Sequence, residues 1–353
     1  MNNRGSVYIY YISGTGNARS ASYWIADEAE KNNINIRVQQ IDRLINIDLP
    51  PAGSDHLIGF AFPTHGFNAA PIMLRFIAGF PRGRGKEVFL LNTRGGLKLS
   101  KLFLPGLSGV ALLLPAFILL LKGYRCIGFR QLDMPSNWIS LHPGLRQTVI
   151  ESISNRCERI VRKFTRKILS GRNVYRGLFS LPVDLIISPI ALAYYIGGRF
   201  FLAKTFIANN KCNNCGLCMK ECPTASIIEI SKRPYWKLSC ESCMRCINNC
   251  PQRAIESAHG LALVFWLAFS SFNALILSLI VNYFTIESSS TLWWLASNIL
   301  SIAGMVAISA AIYRLVHYAM AAMPVKYLVR FTSLTTLPFW RRYKRLKNNK
   351  TAT

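Results

Sequence analysis

Eight cysteines fall into two runs of identical spacing. Cys212, Cys215, Cys218 and Cys222 are followed by Pro223, and Cys240, Cys243, Cys246 and Cys250 by Pro251. Three thiolates stepped in this way can wrap one face of an iron–sulfur cubane. The fourth, before proline, begins the turn that carries the chain to a second cluster. The ligand sets therefore cross. Cys212, Cys215, Cys218 and Cys250 are expected to hold one [4Fe–4S] cluster, and Cys240, Cys243, Cys246 and Cys222 the other. Zinc sites favour paired C-x2-C halves across a long spacer, not three evenly stepped cysteines and a fourth before proline. A disulfide framework is not expected either, since Met1 to Ser6 is short and polar and carries no targeting signal. Cys126 and Cys157 lie outside both runs and read as ordinary buried thiols.

A second chemical feature lies near the N-terminus. Val7 to Ile12 is an apolar β-type run that ends in Ser13-Gly14-Thr15-Gly16-Asn17-Ala18, and Ala21, Trp24, Ile25 and Ala29 follow at helical spacing. Strand, tight loop and helix can present hydroxyls and N–H groups to a phosphate at a helix N-terminus, where the dipole favours an anion. The Gly-Lys-Ser/Thr ending of a P-loop is absent. A dinucleotide turn wants a third glycine where Arg19 stands. The remaining candidate is a flavodoxin phosphate loop that cradles FMN, with Ala18 in place of a second threonine and one phosphate hydrogen bond fewer. A hydroxyl-rich turn that merely caps the helix fits the same residues. On the FMN reading, bulk at Gly14 or Gly16 abolishes flavin binding and leaves the clusters intact.

Later segments fit the same scheme. His56 to Phe62 reads as a buried strand delivering Pro63, Thr64, His65, Gly66 and Phe67. Val88 to Leu91 delivers Asn92, Thr93, Arg94, Gly95 and Gly96, and Tyr124 to Leu132 reaches Met134-Pro135-Ser136-Asn137-Trp138. Ligands of doubly wound sheets bind beyond the carboxyl ends of the strands, so an isoalloxazine ring is expected against the first two loops. His65 and Phe67 are the stacking candidates. The Gly95-Gly96 pair would let backbone amides approach the flavin edge, where Arg94 would stabilise reduced, anionic flavin. Each of these side chains, taken alone, reads equally as an ordinary loop residue. No catalytic acid or base can be chosen; His65 is the best placed, and His142, His259 and His317 have no motif.

Together the Ser-Gly-Thr-Gly-Asn loop, the Met-Pro-Ser-Asn after the last strand and the two cysteine runs resemble the EFR-type flavodoxin–ferredoxin fusion proteins. The resemblance covers residues 6 to about 258. It implies a flavodoxin-like domain and a bacterial-type ferredoxin domain, with electrons passing between bound flavin and clusters. It implies no particular substrate.

The rest of the chain departs from the simplest members of that family. Leu261 to Tyr283 and Leu292 to Tyr313 carry no charge, and each is long enough to cross about 30 Å of hydrocarbon. The segment between them, Phe284 to Thr291, holds Glu287 and no Lys or Arg. Nine Lys/Arg follow from Arg314 onward, including the run Arg341-Arg342-Tyr343-Lys344-Arg345. The positive-inside rule then sets a hairpin with both ends cytoplasmic. Leu102 to Leu121 is apolar but carries Pro105, Gly106, Gly109 and Pro115, and reads as a buried or membrane-dipping crossover helix. Leu181 to Leu202, with Asp184, Pro189, Gly197-Gly198 and Arg199, reads as interfacial or re-entrant. Ile153 to Ile168 reads as a basic amphipathic helix suited to an anionic leaflet.

The formal net charge is +26. Nucleic acid would also suit such a charge, but the basic residues concentrate beside apolar segments and no nucleic-acid module is present. The expected fold class is a doubly wound parallel α/β sheet of flavodoxin type at 1–145. A basic amphipathic helix and interfacial segment follow at 146–205, then a small α+β 2[4Fe–4S] ferredoxin-like domain at 206–258. A transmembrane helical hairpin at 259–316 and a basic cytoplasmic tail at 317–353 complete a multi-pass protein of the cytoplasmic membrane. The expected partners are an anionic membrane surface, a soluble low-potential electron donor and a lipid-soluble or membrane-bound acceptor. The alternative is an electron carrier without a substrate of its own that docks to a membrane partner. A redox sensor is the weaker third reading, because two clusters and a flavin imply throughput.

Overall fold

Alternation of apolar residues on both faces of Val7 to Ile12 builds the centre of a parallel sheet. In the computed structural model, which describes residues 6–51, 56–284, 291–319 and 323–343, β1 (Ser6–Tyr11) pairs in parallel with β2 (Asn35–Gln40) and β3 (His56–His65). The two-residue β4 (Asn68–Ala69) folds back on the end of β3. Next come β5 (Glu87–Leu99), the short β6 (Leu102–Leu104) turned back on its end, and β7 (Arg125–Pro135), parallel to β5. The parallel order β2-β1-β3-β5-β7 is that of a flavodoxin-like doubly wound sheet, with its switch point between β1 and β3.

Helices α1 (Asn17–Glu30) and α4 (Gln147–Leu169) cover one face. Trp24 and Ile25 meet Val7, Ile9, Val161, Phe164 and Ile168 there in one buried cluster. On the other face α2 (Pro71–Gly79) brings Phe76 to 5.1 Å from the Tyr10 ring, and α3 (Leu113–Leu121) packs beside it. Three expectations are corrected here. The apolar face of α4 is spent on the sheet, so this helix belongs to the flavodoxin-like layer and its apolar stripe is closed to a bilayer. Arg162 ties it to α1 through Asp27 at 3.3 Å and Glu28 at 3.4 Å. The Asn92 to Gly96 stretch is not a loop. It continues β5, paired in register with Gln131 to Pro135 of β7. Residues 102–121 likewise form β6, a turn and the short α3 rather than one long crossover helix.

The chain divides into two units. Residues 1–192, 243–248 and 341–353 form the first, and residues 193–242 and 249–340 the second. The second contains two antiparallel pairs. These are β8 (Phe206–Ala208) with β11 (Ile255–Ser257) and β9 (Ile227–Ile230) with β10 (Arg233–Trp236). The helix α5 (Leu181–Ala193) passes through a π turn, Tyr194–Gly198, into α6 (Arg199–Ala203). Short helices α7 (Leu217–Lys220) and α8 (Arg245–Asn249) lie within the two cysteine runs, and α9 (His259–Phe284), α10 (Thr291–Ala319) and α11 (Met323–Phe331) complete the set.

Two helical stretches, Leu181–Ala203 and Trp293–Ala319, are long and apolar enough to cross a membrane. The first of these covers the segment read as interfacial or re-entrant, 181–202. Pro189 sits inside α5, and Gly197-Gly198 are taken up by the π turn. The helix α9 covers the first expected span, with His259–Leu275 as its apolar stretch among the described residues. It packs on α10, where Ser301 Oγ donates to Asn273 Oδ1 at 2.6 Å. The end of α10 meets the β9–β10 hairpin. The Trp236 N–H donates to Tyr313 Oη at 3.2 Å, and His317 Nε2 lies 3.1 Å from Ile230 O. Residues 285–290, with Glu287, and 344–353 lie outside the described residues.

Candidate functional site

The Ser13 to Asn17 loop joins β1 to α1 and is stitched from within. Gly16, at φ 103°, is a left-handed N-cap that suits glycine alone, and its N–H donates to Ser13 Oγ at 3.0 Å. Asn137 Nδ2 donates to Thr15 Oγ1, and Asn17 Nδ2 donates to Pro135 O at 3.0 Å. The segment after β7 thus fixes the loop. Ser13 and Thr15 spend acceptor capacity on these bonds and keep hydroxyl hydrogens to donate. No acidic residue stands in the first turn of α1, so nothing there opposes a phosphate at its N-terminus. The donor set fits an FMN phosphate.

The expected ring-side residues are gathered differently from the sequence reading. Thr64 and His65 end β3, and Gly66-Phe67 turn the chain into β4. Phe67 sits at φ 63°, a conformation that costs free energy for a bulky side chain. Asn92 Nδ2 donates to Thr64 Oγ1 at 2.8 Å and Ser108 Oγ at 3.0 Å. Its Oδ1 is buried with no protein partner, an acceptor that fits the N–H edge of a flavin ring. Thr93 is buried in the same strand. Arg94 already has a protein partner. It is ion-paired with Asp133 at 2.6 Å, and Asp133 also accepts the Gly106 N–H at 2.9 Å. A Cβ at Gly96 would lie 2.6 Å from Asp133 O, so this glycine lets β5 and β7 approach. Burial lowers the His65 imidazole to about 4, and it is neutral at physiological pH.

Within the second unit Cys218 has Cys212, Cys250 and Cys215 as its charged neighbours. Burial first, and then those thiolates, push its thiol up to about 11. The first run is thereby joined to Cys250 of the second. Backbone N–H groups approach the sulfurs. Ser226 donates to Cys222 Sγ at 3.2 Å, Ser242 to Cys240 Sγ at 3.4 Å, and Ala254 to Cys250 Sγ at 3.3 Å. Such bonds stabilise thiolate charge and suit an iron–sulfur cluster. Among the described residues no three His, Cys, Asp or Glu are gathered closely enough for one metal ion; a cubane spaces its thiolates more widely than a single zinc does. Cys126 and Cys157 are buried, and burial raises their thiols to about 11 and about 12, the behaviour of inert structural cysteines.

Two functional side chains escaped the sequence reading. Arg245, between Cys243 and Cys246, is folded with the first unit. Its guanidinium donates to Ser13 O and, at 3.1 Å, to Gly14 O, and pairs with Asp42 at 2.5 Å. A Cβ at Gly14 would lie 2.1 Å from Cys243 O. The second cysteine run therefore rests directly on the expected phosphate loop. The sequence holds one signal for this, since Arg245 occupies the position that Leu217 occupies in the first run. Lys204, in the second unit, is 1% exposed. Its ammonium donates to Trp236 O and lies 4.9 Å and 4.5 Å from the ring centres of Tyr235 and Tyr313. Burial lowers it to about 8 against the opposing pull of the Cys240 thiolate.

A 4Fe-4S binding domain family matches residues 206–228, which contain the whole first cysteine run. That segment is a [4Fe–4S] binding segment. No curated protein matches the chain significantly. Similar solved structures include a flavodoxin from the domain Archaea, at 14% identity, covering 46% of this chain and 98% of that one with a TM-score of 0.30. The two-electron reduced flavodoxin of Megasphaera elsdenii gives 16%, 45%, 98% and 0.30, and oxidised flavodoxin 1 of Bacillus cereus 17%, 46%, 97% and 0.28. The flavodoxin-like assignment stands on the strand order itself.

Proposed function

We propose that this chain is a membrane-anchored iron–sulfur flavoprotein that moves electrons between two [4Fe–4S] clusters and FMN and passes them to a lipid-soluble or membrane-bound acceptor. Arg245 carries this reading. It lies between two cysteines of the second run and holds two carbonyls of the flavin loop, an arrangement suited to short-range electron exchange. When bound, the clusters supply one-electron chemistry and the flavin one- or two-electron chemistry. Around them the protein's part is to bind, orient and compensate charge. Ser13 and Thr15 donate to the phosphate. Cys212, Cys215, Cys218 and Cys250 hold one cluster, and Cys222, Cys240, Cys243 and Cys246 the other. Lys204 sets a buried cation in the field of Cys240.

The membrane part rests on exposure and charge. Leu263, Trp266 and Leu267 of α9 and Leu295 and Ile299 of α10 all face outward, and so many exposed apolar side chains suit lipid. With basic residues absent from 284–291 and abundant after Arg314, the redox parts belong on the cytoplasmic side. A basic surface there attracts anionic headgroups and steers an acidic soluble donor. One observation favours the carrier alternative. Arg94 is committed to Asp133 and burial lowers the His65 imidazole, so neither of these two ring-side candidates is set to supply a proton near neutral pH. Anaerobic purification of the full chain in detergent tests the proposal. About eight iron, about eight acid-labile sulfide and one FMN per chain are expected; tightly bound zinc without sulfide would contradict it.

A further inference from the structure

Residues Arg341 to Tyr343, after α11, belong to the first unit and reach the flavin loop at Asn17. The Gly144 N–H donates to Arg341 O at 2.7 Å, and Arg341 Nε donates to Gly144 O at 3.0 Å. A Cβ at Gly144 would lie 2.7 Å from Arg341 O, so the two backbones are in direct contact. Two residues on, Tyr343 is 4% exposed and makes two directed bonds. Its N–H donates to Asn248 Oδ1 at 2.8 Å, and its hydroxyl donates to Asn17 Oδ1 at 2.7 Å. Both asparagines are themselves fixed. Asn17 Nδ2 holds Pro135 O, and Asn248 Nδ2 holds Met244 O at 2.9 Å. Tyr343 therefore links the first residue of α1, through its hydroxyl, to the helix of the second cysteine run, through its backbone N–H. A buried tyrosine hydroxyl needs such a partner, and its loss would leave Asn17 Oδ1 buried and unsatisfied.

We propose that Tyr343 is a positioning residue that clamps the C-terminal tail across the flavin loop and sets FMN affinity through Asn17. The clamp rests on the FMN site proposed above. Side-chain bonds of Asn17 to both Pro135 and Tyr343 fix the start of α1, whose N–H groups face the phosphate. The tail's Arg341-Arg342-Tyr343 run thus does more than set membrane topology. It makes Tyr343 part of the cofactor site.

FMN titration of flavin-depleted full chain in detergent tests this, with iron content and cluster EPR recorded on the same samples. In Tyr343→Phe the FMN dissociation constant should rise roughly tenfold, the scale of one buried hydrogen bond, with both cluster signals retained. Asn17→Ala should weaken FMN similarly, and Asn17→Ala/Tyr343→Phe should be no weaker than Asn17→Ala, since the two side chains act through one bond. Wild-type affinity in Tyr343→Phe, or additive losses in the double variant, would overturn the clamp while leaving the flavin site standing. A wild-type chain that binds no FMN would overturn the flavin site and the clamp with it.

Discussion

Gly14→Val is expected to cost the protein both its flavin and its second cluster. The added Cβ would meet Cys243 O at 2.1 Å and Cys243 Cβ at 3.0 Å, separations that backbone cannot accept. The Cys243 peptide must move, and with it one thiolate of the second ligand set. The first set, Cys212, Cys215, Cys218 and Cys250, is untouched. Iron should therefore fall from about eight to about four per chain, and flavin should be lost because the loop itself is displaced. This overturns the simpler expectation that bulk at Gly14 would spare the clusters. Gly16→Val supplies the contrast. Its strain is local to the φ of 103° at the helix N-cap, so flavin should be lost with both clusters retained. Iron analysis and EPR of the two variants separate these outcomes; a Gly14→Val protein with full iron would contradict the contact.

Arg245→Leu is expected to uncouple the second cysteine run from the flavin loop without emptying it. Leucine already serves at the equivalent Leu217 of the first run, so the cluster should form. What is lost is a largely buried guanidinium that satisfies Ser13 O, Gly14 O and Asp42. Removing one partner of such a set strands the others, at a cost on the order of 2–3 kcal/mol with Asp42 partly hydrated. The FMN dissociation constant should rise by roughly 30- to 160-fold if that cost falls on the loop. Arg245→Lys should recover only part of it, because an ammonium cannot reproduce the planar fork. Fluorescence titration with FMN reads the effect, and unchanged affinity in Arg245→Leu would remove Arg245 from the account.

The cysteine runs and the β1 loop were legible in the sequence because their chemistry is written in local spacing. Four of the five parallel strands followed from their apolar runs, whereas β2 (Asn35–Gln40), half-exposed at the sheet edge, was not read. What escaped was non-local. Asn92 to Gly96 carries the glycines and polar residues of a loop, yet pairing with β7 holds it extended to Gly96. The amphipathic pattern of α4 gave its two faces correctly but could not say that the sheet, not lipid, covers the apolar one. Pro189 and Gly197-Gly198 marked 181–202 as interfacial or re-entrant; the proline sits inside α5 and the glycines are taken up by a π turn. Arg245 and Tyr343 touch partners more than 200 and 300 residues away in sequence, so neither role has a local signature beyond the Leu217–Arg245 difference.

The central claim, that electrons reach the flavin through the second cluster, is tested most directly by anaerobic rapid mixing. The full chain in detergent, loaded with FMN, is mixed with a reduced low-potential ferredoxin as a protein donor, and cluster and flavin absorbance are followed together. Wild type and Cys222→Ser are compared, since this cysteine belongs to the first run in sequence but to the second cluster in the proposed crossed ligation. Flavin in wild type is predicted to be reduced together with the clusters. In Cys222→Ser, which keeps the first cluster and FMN, it should be reduced many times more slowly. Equal flavin reduction rates in the two proteins would contradict the route.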